Sequence, residues 1–262
     1  MKSEIDVPSS SLGASAAPDR LSALLGQFHV RASLFHTGAL CGVSHFEAVP
    51  GRAFLHVLRR GSMEVRHRPA GGRELRLPLA EPALLLYPRG LAHSLVNPPH
   101  DGADFTCATL AFDGGEHNPV VRALPDFIHV PLAAIEGLRP ALGLLFAEAD
   151  QPRCGSRLLA DRLFEVILIQ LLRWMVDHPR QAGIGAGLFA GLADPRLARA
   201  LTALHEAPQE DWPLARMAAA AGMSRSAFAL AFKGATGSTP ASYLTDWRLT
   251  LAGALARSGQ PL

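Results

Sequence analysis

Apolar positions along the chain change their period twice. Between about residues 22 and 113 they fall in short runs separated by glycine, proline and polar clusters. The runs at 54–57 and 62–67 flank Gly61, Gly71-Gly72 marks a hairpin turn, and 74–79 follows it. Residues 83–87 and 103–112 read as further strands. In 103–112 strict alternation puts Phe105, Cys107 and Thr109 on one face and Thr106, Ala108 and Leu110 on the other. Many short strands at regular spacing predict a β-barrel or jelly roll.

From 132 to 178 the period becomes helical. Leu142, Leu145 and Phe146 form one short face. Residues 157–178 predict a longer helix with Leu159, Leu163, Val166, Ile167, Gln170 and Trp174 along one side. Leu158, Leu168 and Leu172 lie off that stripe, so this helix is either buried on two sides or part of a homodimer interface. The intramolecular alternative is packing against the 132–150 helix and the barrel. The glycines of 183–191 predict a flexible linker, and Asp194-Pro195 opens another helix with an Asp cap and proline in the first turn.

The C-terminal stretch carries the sharpest pattern. Pro213 suits the first position of a helix, because its missing N–H would be unpaired there anyway. Leu214, Met217, Ala218 and Ala221 recur on one face, Gly222 supplies a tight turn, and Ser224 can cap the next helix. Phe228 and Phe232 stand four apart and point inward together. The outer face keeps Arg225, Ser226, Ala229, Leu230 and Lys233. Two short helices with this turn describe a helix-turn-helix, whose second helix enters the DNA major groove.

Residues 218–221, Gly222-Met223-Ser224, Phe228, Phe232-Lys233, Thr236-Gly237, Pro240, Tyr243-Leu244, Trp247-Arg248 and Ala252 resemble the AraC/XylS family of bacterial regulators. The resemblance implies a long bridging helix from Thr239 to about Ser258 and a second helix-turn-helix beyond it, which is absent before Leu262. It places base reading on Ser226, Ala229 and Leu230. Neither Ala nor Leu offers a hydrogen bond, so a thymine methyl is all they can read. Arg225 and Lys233 suit phosphate contacts. The candidate DNA-binding set is Ser224, Arg225, Ser226, Ala229, Leu230, Lys233 and Arg248, with promoter DNA as partner. Residues 212–262 hold five Lys/Arg against the single acid Asp246, a local excess of +4.

Charge elsewhere adds little: the net charge is +2 over 262 residues, so no broad electrostatic grip on nucleic acid or membrane is implied. The first 20 residues are polar and read as a disordered leader without an apolar signal core. Glu165, Gln170 and Arg173 interrupt the most apolar run, 163–176, which excludes a membrane span there. Three cysteines without an export signal predict reduced thiols in the cytoplasm.

Pro88, Gly90, His93 and Asn97 resemble the second motif of cupin barrels, P-x-G-x-x-H-x-x-x-N. The expected fold is therefore α+β: a cupin-type β-barrel, then helices, then an all-α helix-turn-helix domain. The division is leader 1–20, sensor barrel 21–130, helical packing segment 131–182, linker 183–193 and reader 194–262. The first cupin motif departs from the family: only His56 is present, Leu58 stands at its partner position, and Glu64 has no fixed register. A full metal site of three histidines and a glutamate is not encoded, which argues against a metal-dependent cupin enzyme.

The chain also resembles the RclR-type subgroup of AraC regulators, which respond to reactive chlorine species through cysteine oxidation. That resemblance carries over to His56, His93 and Cys107, and more loosely to Cys41. Two cysteines and two histidines form a natural tetrahedral set for zinc, if the fold brings 41, 56, 93 and 107 together. No cofactor beyond that zinc is implied. His36 and His45 are nearby competitors, Cys154 reads as exposed and incidental, and an apolar signal held by Phe35, Phe46, Phe54 and Phe105 is the other sensor reading. The expected function is a DNA-binding transcription regulator, not an enzyme, whose barrel senses an oxidant, metal or small molecule. The alternatives are a dimerising fragment that does not bind its operator and a cupin enzyme with a helical appendage.

Overall fold

The computed structural model describes residues 19–69, 72–97 and 102–258. The predicted leader, up to residue 18, and Gly71 of the hairpin turn lie outside the described residues. A short helix α1 (Ser22–Gln27) leads into strands β1 (Val30–Leu40), β2 (Gly42–Phe46), β3 (Ala53–Arg60), β4 (Met63–His67), β5 (Leu75–Leu79), β6 (Ala83–Tyr87), β7 (His93–Asn97) and β8 (Ala103–Phe112). Helix α2 (Pro119–Ala123) and strand β9 (Ile128–Pro131) follow. The strands form two antiparallel sheets, one ordered β1-β8-β3-β6-β9 and the other β2-β7-β4-β5. The predicted jelly roll is thus a two-sheet sandwich.

The five-stranded sheet is covered on both faces. Phe54, Leu58, Leu85, Tyr87, Phe105 and Cys107 point into the sandwich, while Leu55, Val57, Leu84, Leu86, Ala108 and Leu110 point outward into a second core. This is why β6 is apolar at every position: a strand with no solvent face shows no alternation. The outer core is closed by α3 (Leu138–Asp150) and α4 (Ser156–Asp177). Strand β9 and helix α1 escaped the sequence reading because each is too short to show a period.

Two helical expectations need correction. The stripe expected on α4 holds at Leu163, Ile167 and Trp174, which are buried, but Leu159 and Val166 are 40% and 42% exposed, and the buried face extends instead to Phe164, Leu168, Leu171 and Leu172. A helix apolar nearly all round has no strong phase in its sequence, so only packing sets its orientation. Leu168 and Leu172 are therefore core residues, and Leu158 alone of that trio is exposed. The glycine-rich segment read as a linker contains helix α5 (Leu188–Ala193), with Phe189 and Leu192 fully buried. Four further helices come after it in the described residues: α6 (Pro195–Glu206), α7 (Leu214–Ala221), α8 (Arg225–Thr236) and α9 (Pro240–Ser258). Helix α5 packs on α4, α2, α6 and α8. Asp194 caps α6 as expected, accepting from the N–H groups of Arg196 and Leu197.

The reader domain meets the sandwich at its root. Gln27 donates to the carbonyl of His205 at 2.9 Å, and Phe28 packs edge-on against Trp247 of α9 with ring centroids 5.4 Å apart. His205 is fully buried and its Nε2 meets the Tyr243 hydroxyl at 2.7 Å.

Phe189→Ala should cost about 3–5 kcal/mol of stability by opening a cavity, read as a lower urea midpoint; an unchanged midpoint would show that 183–193 is a linker after all. Burial lowers the pKa of His205 to about 3, below the ordinary 6.5. The folded state therefore keeps the ring neutral where the unfolded chain protonates it, so stability is full above pH 6.5 and falls as pH drops toward 3. This group contributes a slope of about 1.4 kcal/mol per pH unit within that window. His205→Gln should flatten the wild-type profile by that amount between pH 6 and 4, measured by chemical denaturation.

Candidate functional site

The helix-turn-helix is assembled as its local chemistry demands. Gly222 ends α7 in the left-handed region at φ 67°, where a side chain would be strained. Ser224 caps α8 by accepting from the Ala227 N–H at 3.4 Å. Pro213 is the N-cap residue of α7 rather than its first helical residue. Arg199 donates to the Ala221 carbonyl at 2.8 Å and ties α7 to α6. Phe228 and Phe232 are fully buried with ring centroids 5.3 Å apart, and they fix which face of α8 is left outside.

That outer face carries Arg225, Ser226 and Lys233 in the open, Leu230 78% exposed, and Ala229 half-buried. Neither Arg225 nor Lys233 has an ion pair among the described residues. Arg248 is placed elsewhere. From α9 it donates to the carbonyls of Pro208 and Glu210, both at 2.7 Å, and pins the loop ahead of α7. Of the seven sequence candidates, the structure groups Ser224, Arg225, Ser226, Ala229, Leu230 and Lys233 at one helix and leaves Arg248 with a positioning task. Trp212 and Arg216 were not singled out; the guanidinium lies 4.0 Å over the indole and clamps the entry to α7.

Inside the sandwich His56, His93 and Cys107 come together. His56 on β3 lies directly across from Cys107 on β8, and His56 Nδ1 stands 2.8 Å from the Cys107 sulfur. His56 Nε2 stands 2.9 Å from His93 Nε2, and His93 Nδ1 stands 2.8 Å from the Leu91 carbonyl. Burial depresses His93 to about 4, against the pull of that carbonyl, and holds His56 well below its ordinary range, helped by the neighbouring His93 and His36. Burial also pushes the Cys107 thiol well up.

All three groups are therefore neutral near pH 7, and the hydrogens follow by elimination. A carbonyl only accepts, so His93 Nδ1 carries the proton and its Nε2 accepts from His56 Nε2–H. His56 Nδ1 is then bare and accepts from the Cys107 S–H. The chain Cys107→His56→His93→Leu91 O runs in one direction, fixed by a single backbone oxygen. Aromatic rings wall it in: Tyr87 stacks on His93 with centroids 3.8 Å apart, Phe46 stacks on its other side at 4.9 Å, and Phe54 stacks on His56 at 5.9 Å. Tyr87 and His67, hydrogen-bonded at 3.1 Å, were missed in the sequence, although inward alternation with Leu85 could have flagged Tyr87.

The four-ligand zinc set does not form. Cys41 is exposed at the turn between β1 and β2, five residues along β1 from His36, the residue paired with Cys107. At strand rise that is about 16 Å away. The remaining three do not fit a single ion either. His56 offers one nitrogen to Cys107 and the other to His93, so no metal on one side reaches both. Among the described residues no group of three or more His, Cys, Asp or Glu is arranged to hold a metal ion. His45 lies on the surface, 2.8 Å from the Ser94 hydroxyl, His36 meets the Gly38 carbonyl, and Cys154 is exposed.

The chain thus joins a two-sheet β-sandwich to a helix-turn-helix. The family model described as Cupin matches residues 19–177, and that for bacterial regulatory helix-turn-helix proteins of the AraC family matches 204–245. The chain belongs to the cupin family and carries an AraC-family helix-turn-helix. It is 39% identical over 160 residues to a putative AraC-like transcription regulator of Streptomyces antibioticus, covering 60% of this chain and 50% of that protein. It is 24% identical to the HTH-type transcriptional regulator MtrA of Neisseria gonorrhoeae, covering 87% and 80%. It is 26% identical to the RCS-specific HTH-type transcriptional activator RclR of Escherichia coli, covering 64% and 60%. The chain spans about half the length of the Streptomyces relatives it matches. No helix of the described residues is long and apolar enough to cross a membrane.

The two classes of thiol should separate on alkylation. Iodoacetamide at pH 8 is expected to modify Cys41 and Cys154 in the native protein and Cys107 only after unfolding, read by peptide mass spectrometry. Labelling of Cys107 at the rate of Cys41 would contradict its burial.

Proposed function

We propose that this chain is a DNA-binding transcription regulator of AraC type, working in the cytoplasm on promoter DNA, with the cupin sandwich as its sensor. The observation that carries this reading is the outer face of α8, where Arg225, Ser226, Leu230 and Lys233 stand exposed over a fully packed helix-turn-helix core. Arg225 and Lys233 contact phosphates; Ser226, Ala229 and Leu230 face the base edges; Ser224 sets the start of the helix. Two apolar residues on that face make sequence discrimination modest and binding strongly salt-dependent.

The sensor reading centres on Cys107, His56 and His93, with Cys41 as an exposed second thiol, and the proposed signal is an oxidant. Hypochlorous acid converts the Cys107 thiol to sulfenic acid, with chloride and a proton as the other products. The added oxygen must enter a site packed on every side, which forces the aromatic walls apart. The neutral thiol makes Cys107 a slow target until the sandwich opens. Metal has no part in this reading. The relatives are named as regulators, and no catalytic residue is proposed. A homodimer is the proposed assembly, supported by Leu158, Leu159 and Val166 left exposed along α4.

Fluorescence anisotropy on the chain's own upstream DNA tests the reader. Arg225→Ala and Lys233→Ala should each weaken binding about 3–10-fold and reduce the slope of log K against log[salt] by about 1. Unchanged affinity and slope in both variants would sink the assignment of α8. Cys107→Ser should abolish any change in affinity caused by hypochlorite.

A further inference from the structure

Strand β1 is an edge of the five-stranded sheet, so half of its backbone groups have no strand partner. Helix α4 runs along that edge and supplies acceptors for them. The Ala32 N–H donates to Glu165 at 3.3 Å, and the Leu34 N–H donates to Asp161 at 2.6 Å. The spacing is commensurate: two strand residues advance about 6.7 Å and four helix residues about 6.0 Å. The next rung of this ladder falls at helix position 157 and at strand residues 35–37, where the register slips between Leu34 and His36. Position 157 is an arginine, which cannot accept a hydrogen bond.

The missing rung is an open space. A cavity of about 560 Å³ lies there, bounded by 33–37 of β1, Thr106, the end of α3 and the start of α4. Its walls are largely apolar, with Leu34, Phe35, Leu145, Ala149, Pro152 and Ala160. Arg157 reaches it with no hydrogen bond or ion pair among the described residues. Glu148 also lines it, but that carboxylate is already paired with Arg153, whose hydrogen bond holds its pKa down.

We propose that this cavity binds a small carboxylate with an apolar body, seated between the open edge of β1 and Arg157. The ligand carboxylate takes the place of the absent third acid: it accepts from the β1 edge and from the Arg157 guanidinium, while its hydrocarbon part fills the space against Leu145, Ala149 and Pro152. Cys107 is not part of this site, although His36 and Thr106 of its wall adjoin Cys107 in the sheet, and the DNA-reading face lies on another helix, so the site adds to the regulator reading without resting on it. Because α4 and β1 belong to different layers, a ligand there ties the helical layer to the sheet.

The test uses the full chain without DNA. Isothermal titration with 3-phenylpropanoate, and with 3-phenylpropanol as the uncharged analogue, reads binding directly. The carboxylate is expected to bind with Kd on the order of 0.1–1 mM, as suits a fragment of this size. The alcohol should bind at least about tenfold more weakly, and Arg157→Gln should lose the same factor for the carboxylate. Ala149→Phe, at a half-buried wall position, should abolish binding of both while circular dichroism stays native. Equal affinity for acid and alcohol, undiminished binding in Arg157→Gln, or no binding at 10-fold above the expected Kd would each overturn the proposal. Binding that survives Ala149→Phe would place the ligand elsewhere and overturn it as well.

Discussion

Two-sided burial of the five-stranded sheet is the constraint on which the remainder of this molecule rests. Strands β3, β6 and β8 have no solvent face, so both alternating sets of side chains must be apolar or paired. The apolar sets build two cores, one inside the sandwich and one under α3 and α4. A polar group admitted to the inner core without a partner costs about 1–3 kcal/mol. His56, His93 and Cys107 avoid that cost as a chain, and the chain needs an end that takes no further proton. The Leu91 carbonyl is that end.

The same constraint gives the proposed sensor a packed route to the helix-turn-helix. The outer core is continuous from the sheet through α3 and α4 to α5, α6 and the helix-turn-helix. Phe28 on Trp247 and Gln27 on the His205 carbonyl add a direct bridge from the sandwich root to the reader. Close-packed interiors transmit displacement rather than absorb it. On the proposed reading, an oxygen added at Cys107 on β8, or a ligand seated on the edge of β1, acts on strands whose outer face belongs to this core. The buried helix at 188–193 matters here: a true linker would have broken the path.

Inside the cupin sandwich the two histidines are bound to each other. His56 and His93 occupy places that the family pattern gives to metal ligands, yet each spends one ring nitrogen on the other. Where the resemblance suggested a zinc tetrad, His56, His93 and Cys107 form a one-directional hydrogen-bond chain between aromatic rings. Cys41, drawn into the same set by spacing, sits at an exposed turn where the strand geometry cannot return it.

The sequence by itself determined the local structures whose signals are complete within a few residues. Gly222 and Ser224 specify the turn and cap of the reader, Phe228 and Phe232 its buried face, Asp194-Pro195 a helix start, and the alternation of 103–112 which side Cys107 faces. The P-x-G-x-x-H-x-x-x-N spacing brought His93 to notice, and the resemblance grouped it with His56 and Cys107, which the structure sets within hydrogen-bonding distance, Cys107 to His56 and His56 to His93. Only the tertiary structure decided matters that depend on two elements meeting. The rotation of α4 is one, because a helix apolar on nearly every side has no preferred face until the sheet is present. The helix at 188–193 is another, because its glycines disfavour it locally and burial of Phe189 and Leu192 overrides them. The commitment of Arg248 to loop carbonyls, the separation of Cys41 from its expected partners, and the match in pitch between α4 and the edge of β1 belong to the same class. Each rests on distances between residues far apart in the chain, which periodicity and spacing along one strand or helix do not encode.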